Sequence, residues 1–88
     1  GIGSASLNYF NKSIYDLELH EIAFLAALPK APNNYNPNKN YKEAIERRNW
    51  VIDKMFKNGF LEKSDLASKK NPINIVKRTR SEFNERNY

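Results

Sequence analysis

The spacing of apolar residues along the chain predicts helices, and the polar stretches between them indicate where each helix ends. Residues 4–10 give a short helical signal, which the polar sequence NKS then breaks. Residues 17–28, LELHEIAFLAAL, are apolar on nearly every face of a helix, a pattern typical of a buried helix. Residues 41–58 place apolar side chains every three or four positions, which indicates a long amphipathic helix.

The apolar faces of the two longer helices follow from this spacing. The helix over residues 17–28 is expected to group on one face the residues Leu19, Ile22, Ala23, Ala26 and Ala27. The helix over residues 41–58 is expected to carry a stripe made of Tyr41, Ala44, Ile45, Val51, Ile52, Met55 and Phe56. Gly59 follows where a left-handed C-terminal cap is expected. These patterns predict an all-α fold.

The C-terminal part of the chain is polar and basic. Residues 62–70, EKSDLASKK, predict one further brief helix. Residues 71–88 combine extended and basic signals without a clear period, which is typical of a linker or of a strand that awaits a partner.

The stretch from Leu28 to Asn40, LPKAPNNYNPNKN, contains three prolines and five asparagines and fits neither a helix nor a strand. Proline fixes φ near −65° and asparagine side chains form local turns, so the stretch is predicted to be a loop of fixed shape. Lys30 stands between two prolines, and Tyr35 and Asn36 follow it. The loop is therefore either a solvated turn or a rigid rim that presents the Lys30 cation to an anionic ligand.

Arg48 lies inside the apolar stripe of the helix over residues 41–58. Steps of three residues lead from Ile45 to Arg48 and from Arg48 to Val51. A buried charge is costly unless it is paired, so Arg48 is expected to face a carboxylate or an anionic ligand. On the sequence pattern alone, the favoured interpretation is a structural ion pair or a side chain that reaches past the edge of the stripe to solvent. Arg47 is expected to face solvent or a neighbouring groove.

Glu18 and Glu21 lie one helical turn apart near a predicted helix N-terminus. Carboxylates are favoured there by the helix dipole and by capping geometry, so capping is the preferred interpretation. Acid/base work on sugars is the alternative use of paired carboxylates. His20 between them is expected to be a surface residue.

The composition limits the chain to one small domain at most. It has 88 residues and no cysteine, which excludes disulfides and thiolate metal sites. Its net charge of +5 favours an anionic partner such as nucleic acid, lipid phosphate or a phosphorylated substrate. The chain has no stretch of about 18 apolar residues, so no membrane span is predicted. Without an initiating methionine or a signal-peptide pattern, the chain is expected to be a mature piece or an excised fragment.

Several kinds of catalytic site are excluded because the chain lacks their sequence motifs. The chain has no phosphate-binding glycine loop and no serine followed three residues later by lysine, so an NTPase or an acyl-serine enzyme is not predicted. Its Asp, Glu and His residues do not follow metal-ligand spacings either.

Three segments together resemble one enzyme family. The chain contains GIGSASLNYFNKS, then LELHEIAFLAALPKAPNNYNP, then ERRNWVIDKMFKNGFL. Segments of the same kind occur in this order and at matching separations in the peptidoglycan glycosyltransferase domains of class A penicillin-binding proteins. The resemblance covers residues 1–73, and it implies the C-terminal part of a helical, lysozyme-like domain. Residues 74–88 would then form the linker toward a transpeptidase domain.

The resemblance also implies an activity and a location. The family polymerises lipid-linked disaccharide-pentapeptide into glycan strands on the outer face of the cytoplasmic membrane and releases an undecaprenyl pyrophosphate carrier. Its catalytic glutamate is expected upstream of this chain, and its transpeptidase domain downstream. Arg47 and Arg48 match the paired arginines of the family's last motif, and the loop with Lys30, Tyr35 and Asn36 matches the segment before it. These residues are the expected substrate-binding residues.

Two positions depart from the family pattern, and the resemblance also raises the question of a metal cofactor. Glu18 stands where the family commonly has a Thr or Ser helix cap, and Ala27 replaces a frequent Gly. Both changes are interpreted as local. Some members of the family require a divalent metal, but no residue of this chain is predicted to bind a cofactor.

Two other functions remain open at this point. A small basic helical module that binds nucleic acid is favoured by the charge, by Trp50, by five tyrosines and by the sequence KRTRSEFNER. A fragment without activity is the other. The apolar helix over residues 17–28 also predicts exposed hydrophobic surface and self-association, because the rest of the chain offers few helices to cover it.

Overall fold

The computed structural model describes residues 2–28 and 37–76, and these residues form helices and connecting segments without a β-strand. The all-α prediction is therefore confirmed. Three α-helices follow one another along the chain, namely α1 (Ile2–Phe10), α2 (Leu19–Ala26) and α3 (Tyr41–Lys57). Two 3₁₀ helices, Ile14–Asp16 and Lys63–Lys70, precede α2 and follow α3.

Helix α1 begins at Ile2, two residues before the predicted start at residue 4, and it ends at Phe10 as predicted. Asn11 takes a left-handed conformation with φ of 54°, which turns the chain away from the helix axis. The fully buried Ser6 donates a hydrogen bond of 2.6 Å from its hydroxyl to the carbonyl of Lys12. The polar residues after α1 therefore form an ordered helix end.

Helix α2 is shorter than the predicted helix over residues 17–28. Ser13 starts a 3₁₀ helix before it by accepting a hydrogen bond of 3.2 Å from the backbone N–H of Tyr15. The predicted apolar face is wrong in part, because Ile22 is 39% exposed and Ala26 is also exposed. The helix buries Ala23, which was on the predicted face, together with Phe24 and Leu25, which were not. Helix α2 packs between α1 and α3. These two helices cover only part of its surface, and the rest faces solvent.

Helix α3 has the predicted start at Tyr41 and the predicted glycine cap. Gly59 has φ of +84°, and its N–H donates to the carbonyl of Phe56 at 3.0 Å. The N–H of Phe60 donates to the carbonyl of Met55 at 2.9 Å. This pair of hydrogen bonds is a Schellman motif, which satisfies carbonyls that the helix itself leaves without partners.

The core lies where α1, α2, α3 and the C-terminal segment meet. Its buried apolar residues are Phe10, Phe24, Leu25, Ala44 and Ile73. The rings of Phe10 and Phe24 pack edge to face with centroids 5.5 Å apart, and Tyr9 approaches Phe24 in the same way at 5.3 Å. Such aromatic pairs add specific geometry to the burial of large apolar surfaces.

The C-terminal segment packs back onto the helices over residues 71–76. The Ile73 N–H donates to the Tyr41 hydroxyl at 3.0 Å, and the Val76 N–H donates to the Tyr9 carbonyl at 2.8 Å. Residues 77–88 lie outside the described residues, and the predicted division at residue 73 stays a prediction. Within the described ranges, no helix is long and apolar enough to cross a membrane.

Candidate functional site

The guanidinium of Arg48 is fully buried and hydrogen-bonded on every nitrogen. Its Nη1 donates to the carbonyl of Asn71 at 2.6 Å, and its Nη2 donates to the carbonyl of Lys69 at 2.9 Å. Nε and Nη2 also donate to Oδ1 of Asn49, at 3.0 and 2.8 Å. Arg48 therefore joins the middle of α3 to the end of the second 3₁₀ helix.

The partners of Arg48 differ from the expected carboxylate or anionic ligand. The last carbonyls of a helix have no partners within it, and a cation near them also interacts favourably with the helix dipole. The carbonyls of Lys69 and Asn71 end the 3₁₀ helix over residues 63–70. Burial lowers the pKa of Arg48 below its ordinary value. Arginine nevertheless remains charged at neutral pH, because its unperturbed pKa lies far above neutrality.

A second contact holds the same two elements together. Lys69 Nζ lies 2.8 Å from Oδ1 of Asp53, on the side of α3 that faces the 3₁₀ helix. The pair is partly exposed, so its own contribution to stability is small. With Arg48 it fixes the position of the 3₁₀ helix against α3.

Arg47, which immediately precedes Arg48, is exposed and lies at the edge of a groove between α2 and α3. The groove has a volume of about 320 Å³ and is lined by Ala26, Ala27, Leu28, Glu46, Arg47, Trp50 and Val51. The structure thus places the two arginines in opposite environments. The other predicted site residues, Lys30, Tyr35 and Asn36, lie outside the described residues.

Glu21 caps α2, as the preferred interpretation of the two glutamates predicted. One oxygen of the buried Glu21 carboxylate accepts from the N–H of Glu18 at 2.8 Å. Lys12 Nζ donates to both oxygens, at 3.0 and 2.9 Å. Burial acts to raise the pKa of Glu21, but the Glu18 N–H and the Lys12 ammonium together bring that pKa below its ordinary value. Lys12 is nine residues earlier in the chain, and no spacing rule relates it to Glu21.

The folded chain groups Glu18, His20 and Glu21 more closely than their sequence spacing indicated. Their potential ligand atoms lie within 4.8 Å of one another, and His20 is half-buried where a surface position was expected. The Lys12 ammonium already contacts both oxygens of Glu21. A divalent ion would have to displace this cation, so the group fits a capping ion pair better than a metal site.

Comparison with known proteins finds a matching family model and several similar relatives. A family model described as Transglycosylase matches residues 1–56. Penicillin-binding protein 1A of Rickettsia typhi is 45% identical over 83 residues, which are 93% of this chain and 11% of that protein. Penicillin-binding protein 1A of Pseudomonas aeruginosa is 45% identical over 75 residues, 84% of this chain and 9% of that protein.

A solved structure is similar as well. The crystal structure of penicillin-binding protein 1A from Haemophilus influenzae superposes with a TM-score of 0.78 at 38% identity, over 90% of this chain and 12% of that one. The chain thus spans about a tenth of the length of the curated relatives it matches. These similarities agree with the resemblance drawn from the sequence, and they do not favour the nucleic-acid alternative.

Proposed function

This chain belongs to the transglycosylase family, and we propose from that premise that it serves as the C-terminal part of a peptidoglycan glycosyltransferase domain. The domain belongs to a longer, bifunctional penicillin-binding protein. That protein polymerises lipid-linked disaccharide-pentapeptide into glycan strands and cross-links them through a transpeptidase domain. The observation that carries the proposal is the family match over residues 1–56, which includes both arginines.

The different environments of the two arginines assign them different roles in this proposal. Arg48 donates to protein carbonyls from inside the fold, so it acts by holding the segment around Asn71 against α3. Arg47 is exposed beside the groove, so it contacts the anionic part of the substrate. An arginine suits this task because its planar guanidinium binds two phosphate oxygens at once.

The proposed chemistry divides between this chain and the residues upstream of it. Polymerisation joins a sugar hydroxyl to the anomeric carbon of a second substrate and releases the carrier as a pyrophosphate. A glutamate upstream of this chain removes the proton of the attacking hydroxyl. Arg47 stabilises the charge that develops on the departing pyrophosphate, which is the kind of interaction that lowers a reaction barrier.

The loop before α3 completes the substrate side of the proposal. We propose that Lys30, Tyr35 and Asn36 bind the same anionic group of the substrate as Arg47. The prolines of this loop restrict its backbone, which lowers the entropy lost when substrate binds. Titrating phosphate into the longer protein and into its Lys30→Ala variant, and comparing the two affinities, would measure this contribution.

The partners and location follow from the same proposal. The longer protein works at the outer face of the cytoplasmic membrane, and this chain packs against the rest of the glycosyltransferase domain. A divalent metal, where the longer protein requires one, binds to residues outside this chain. Assays with and without a chelator measure that requirement, and the requirement should survive substitution of Glu18.

The experiment that tests the proposed function compares the longer protein with the isolated chain. Purified longer protein is given lipid-linked disaccharide-pentapeptide in detergent, and its products are separated by size on a gel. We expect glycan strands from the longer protein and none from the 88 residues alone, because the proposal places the catalytic glutamate upstream of them. Strands made by the isolated chain, or none made by the longer protein, would contradict the proposal.

A further inference from the structure

The end of helix α3 contains the one position of the chain at which an asparagine precedes a glycine, Asn58–Gly59. Asparagine is a thermolabile residue, because the backbone nitrogen that follows it can attack its side-chain amide. Glycine has no Cβ, so its nitrogen is the least hindered nucleophile that a following residue can offer. Asn58 and Gly59 are both exposed, so water reaches them. The sequence and the exposure together make Asn58 a candidate for deamidation.

The folded helix end holds both nitrogen atoms that take part in this reaction. Asn58 Nδ2, the nitrogen that leaves in a deamidation, donates a hydrogen bond of 2.9 Å to the carbonyl of Lys54. The Gly59 nitrogen, which attacks, donates to the carbonyl of Phe56 at 3.0 Å. A backbone amide that is held in this way becomes available to solvent only when its hydrogen bond opens. The two hydrogen bonds therefore oppose the reaction.

The backbone conformation of Asn58 opposes the reaction as well. The ring that forms contains Cβ of Asn58 and the Gly59 nitrogen, so these two atoms must nearly eclipse each other about the Cα–C bond. Asn58 has ψ of 8°, so the Gly59 nitrogen instead eclipses the backbone nitrogen of Asn58. Cβ lies about a third of a turn away around that bond, because Cα is tetrahedral. Ring closure therefore requires a rotation that carries the Gly59 N–H away from the Phe56 carbonyl.

We propose that Asn58 is a deamidation site whose rate is set by the opening of the end of α3. In the opened turn, the Gly59 nitrogen loses its proton to solvent and attacks Cγ of Asn58. The new N–Cγ bond forms, the Cγ–Nδ2 bond breaks, and the nitrogen that leaves takes a proton from solvent and departs as ammonia. Water then adds to either carbonyl of the cyclic imide, and the ring opens to aspartate or to isoaspartate. The net reaction consumes water and releases ammonia.

The product weakens the helix end that protected the asparagine. A carboxylate cannot donate to the carbonyl of Lys54, and it places negative charge at the negative end of the helix dipole. Lys54 and Lys57 in the last turn offset part of this charge, but they do not replace the lost hydrogen bond. Isoaspartate also adds a carbon to the main chain, which displaces the Gly59 N–H from its partner. Deamidation therefore loosens the end of α3 permanently.

The first measurement compares the full chain with the peptide FKNGF, which has the sequence of residues 56–60. Both are incubated at neutral pH, and the chain is then digested briefly after Lys57 and Lys63. This digestion gives NGFLEK, in which Asn58 is the single asparagine. Chromatography with mass spectrometry separates the asparagine, aspartate and isoaspartate forms. We expect Asn58 to deamidate about 30-fold more slowly in the chain than in the peptide, the factor for opening two hydrogen bonds.

Unfolding provides the control for the first measurement. In urea that unfolds the chain, the rates of the chain and of the peptide should become equal, because only the folded helix end separates them. Amide hydrogen exchange of the Gly59 N–H in the folded chain measures the same opening independently. Its protection should agree with the slowing of deamidation within a few-fold.

Matched substitutions at the two ends of α3 test the consequence. Asn58→Asp makes the aspartate product, and Asn40→Asp makes the same change at the N-terminal cap, where the Asn40 side chain forms no capping hydrogen bond. We expect Asn58→Asp to lower the urea midpoint and to speed exchange of the Gly59 N–H. Asn40→Asp should raise the midpoint or leave it unchanged, because a carboxylate is favoured at a helix N-terminus.

Three results would overturn the proposal. One is deamidation of Asn58 in the native chain that is as fast as in FKNGF. Another is a slow rate that persists in urea, because the helix end would then not be its cause. The third is an equal loss of stability in Asn58→Asp and Asn40→Asp.

Discussion

At the residue scale, Arg48 illustrates what the apolar pattern predicts and what it leaves open. Its place between Ile45 and Val51 predicts a buried guanidinium that needs partners. The structure supplies backbone carbonyls from residues 21 and 23 positions later in the chain. Periodicity describes one helix at a time, so it does not identify a segment that folds back onto that helix. The need for partners was predictable, but their identity was not.

Arg48→Ala should strongly destabilise the chain. The substitution removes the donors that the carbonyls of Lys69 and Asn71 use and opens a cavity in the fold, so we expect a loss of about 3 to 5 kcal/mol in the free energy of unfolding. Arg48→Lys should restore only part of it, because an ammonium lacks the planar fork. Urea unfolding followed by circular dichroism measures both variants.

The neighbouring arginine provides the control for this prediction. Arg47 is exposed, so Arg47→Ala should change the free energy of unfolding by less than about 0.5 kcal/mol. If Arg48→Ala is equally mild, the hydrogen bonds of Arg48 do not hold the 3₁₀ helix in place.

At the element scale, the helix ends separate the parts that sequence predicts from the parts that it does not. The glycine cap of α3 followed from Gly59 alone, because a left-handed residue after a helix is a local requirement. The 3₁₀ helix at Ile14–Asp16 was missed, since such short turns carry too few residues to show a period. The buried face of α2 was assigned partly wrongly, because nearly every side of that helix is apolar and only its neighbours decide which side is covered.

The cap of α2 predicts a pH dependence of stability. The folded pKa of Glu21 lies below its ordinary value of 4.5, so its contribution is complete above that value. It is then lost as the pH falls through the lower, folded pKa. Urea midpoints measured between about pH 7 and about pH 3 should show the loss in the native chain. Glu21→Gln should be less stable at neutral pH, and the difference should shrink in acid.

An exposed glutamate on α3 separates this effect from general acid denaturation. Glu46→Gln should follow the native chain across this range, because Glu46 is exposed and lies beyond the first turn of α3, where the helix dipole has little effect. A constant difference between Glu21→Gln and the native chain across the whole range would contradict the role assigned to Lys12 and Glu18.

At the scale of the whole molecule, the described helices leave several large apolar side chains exposed. The exposed large apolar residues include Leu7, Ile14, Tyr15, Ile22, Trp50, Phe56 and Phe60. A chain that spans about a tenth of its relatives is expected to present surfaces that pack elsewhere in the longer protein. We expect the isolated chain to self-associate, which sedimentation over a range of concentrations measures. A monomer at every concentration would contradict this expectation.

The candidate site was predictable to different degrees at this scale. The paired arginines and their helix were identified from the sequence, and the family match includes both. Their division into one buried and one exposed guanidinium depends on where the second 3₁₀ helix packs, which the sequence pattern does not specify. The site residues proposed in the loop, Lys30, Tyr35 and Asn36, remain predictions.

The most direct test of this account is the rate of glycan polymerisation by the longer protein carrying Arg47→Ala. The rate is measured in detergent at saturating lipid-linked precursor and below the melting temperature, beside the native protein and Lys42→Ala. We predict a fall of about 100-fold in kcat for Arg47→Ala, the effect of removing one donor from a developing anionic charge. Lys42→Ala, which removes an exposed cation near the start of α3, should stay within about twofold of native. A native rate in the folded Arg47→Ala protein would contradict the central claim that this arginine faces the substrate.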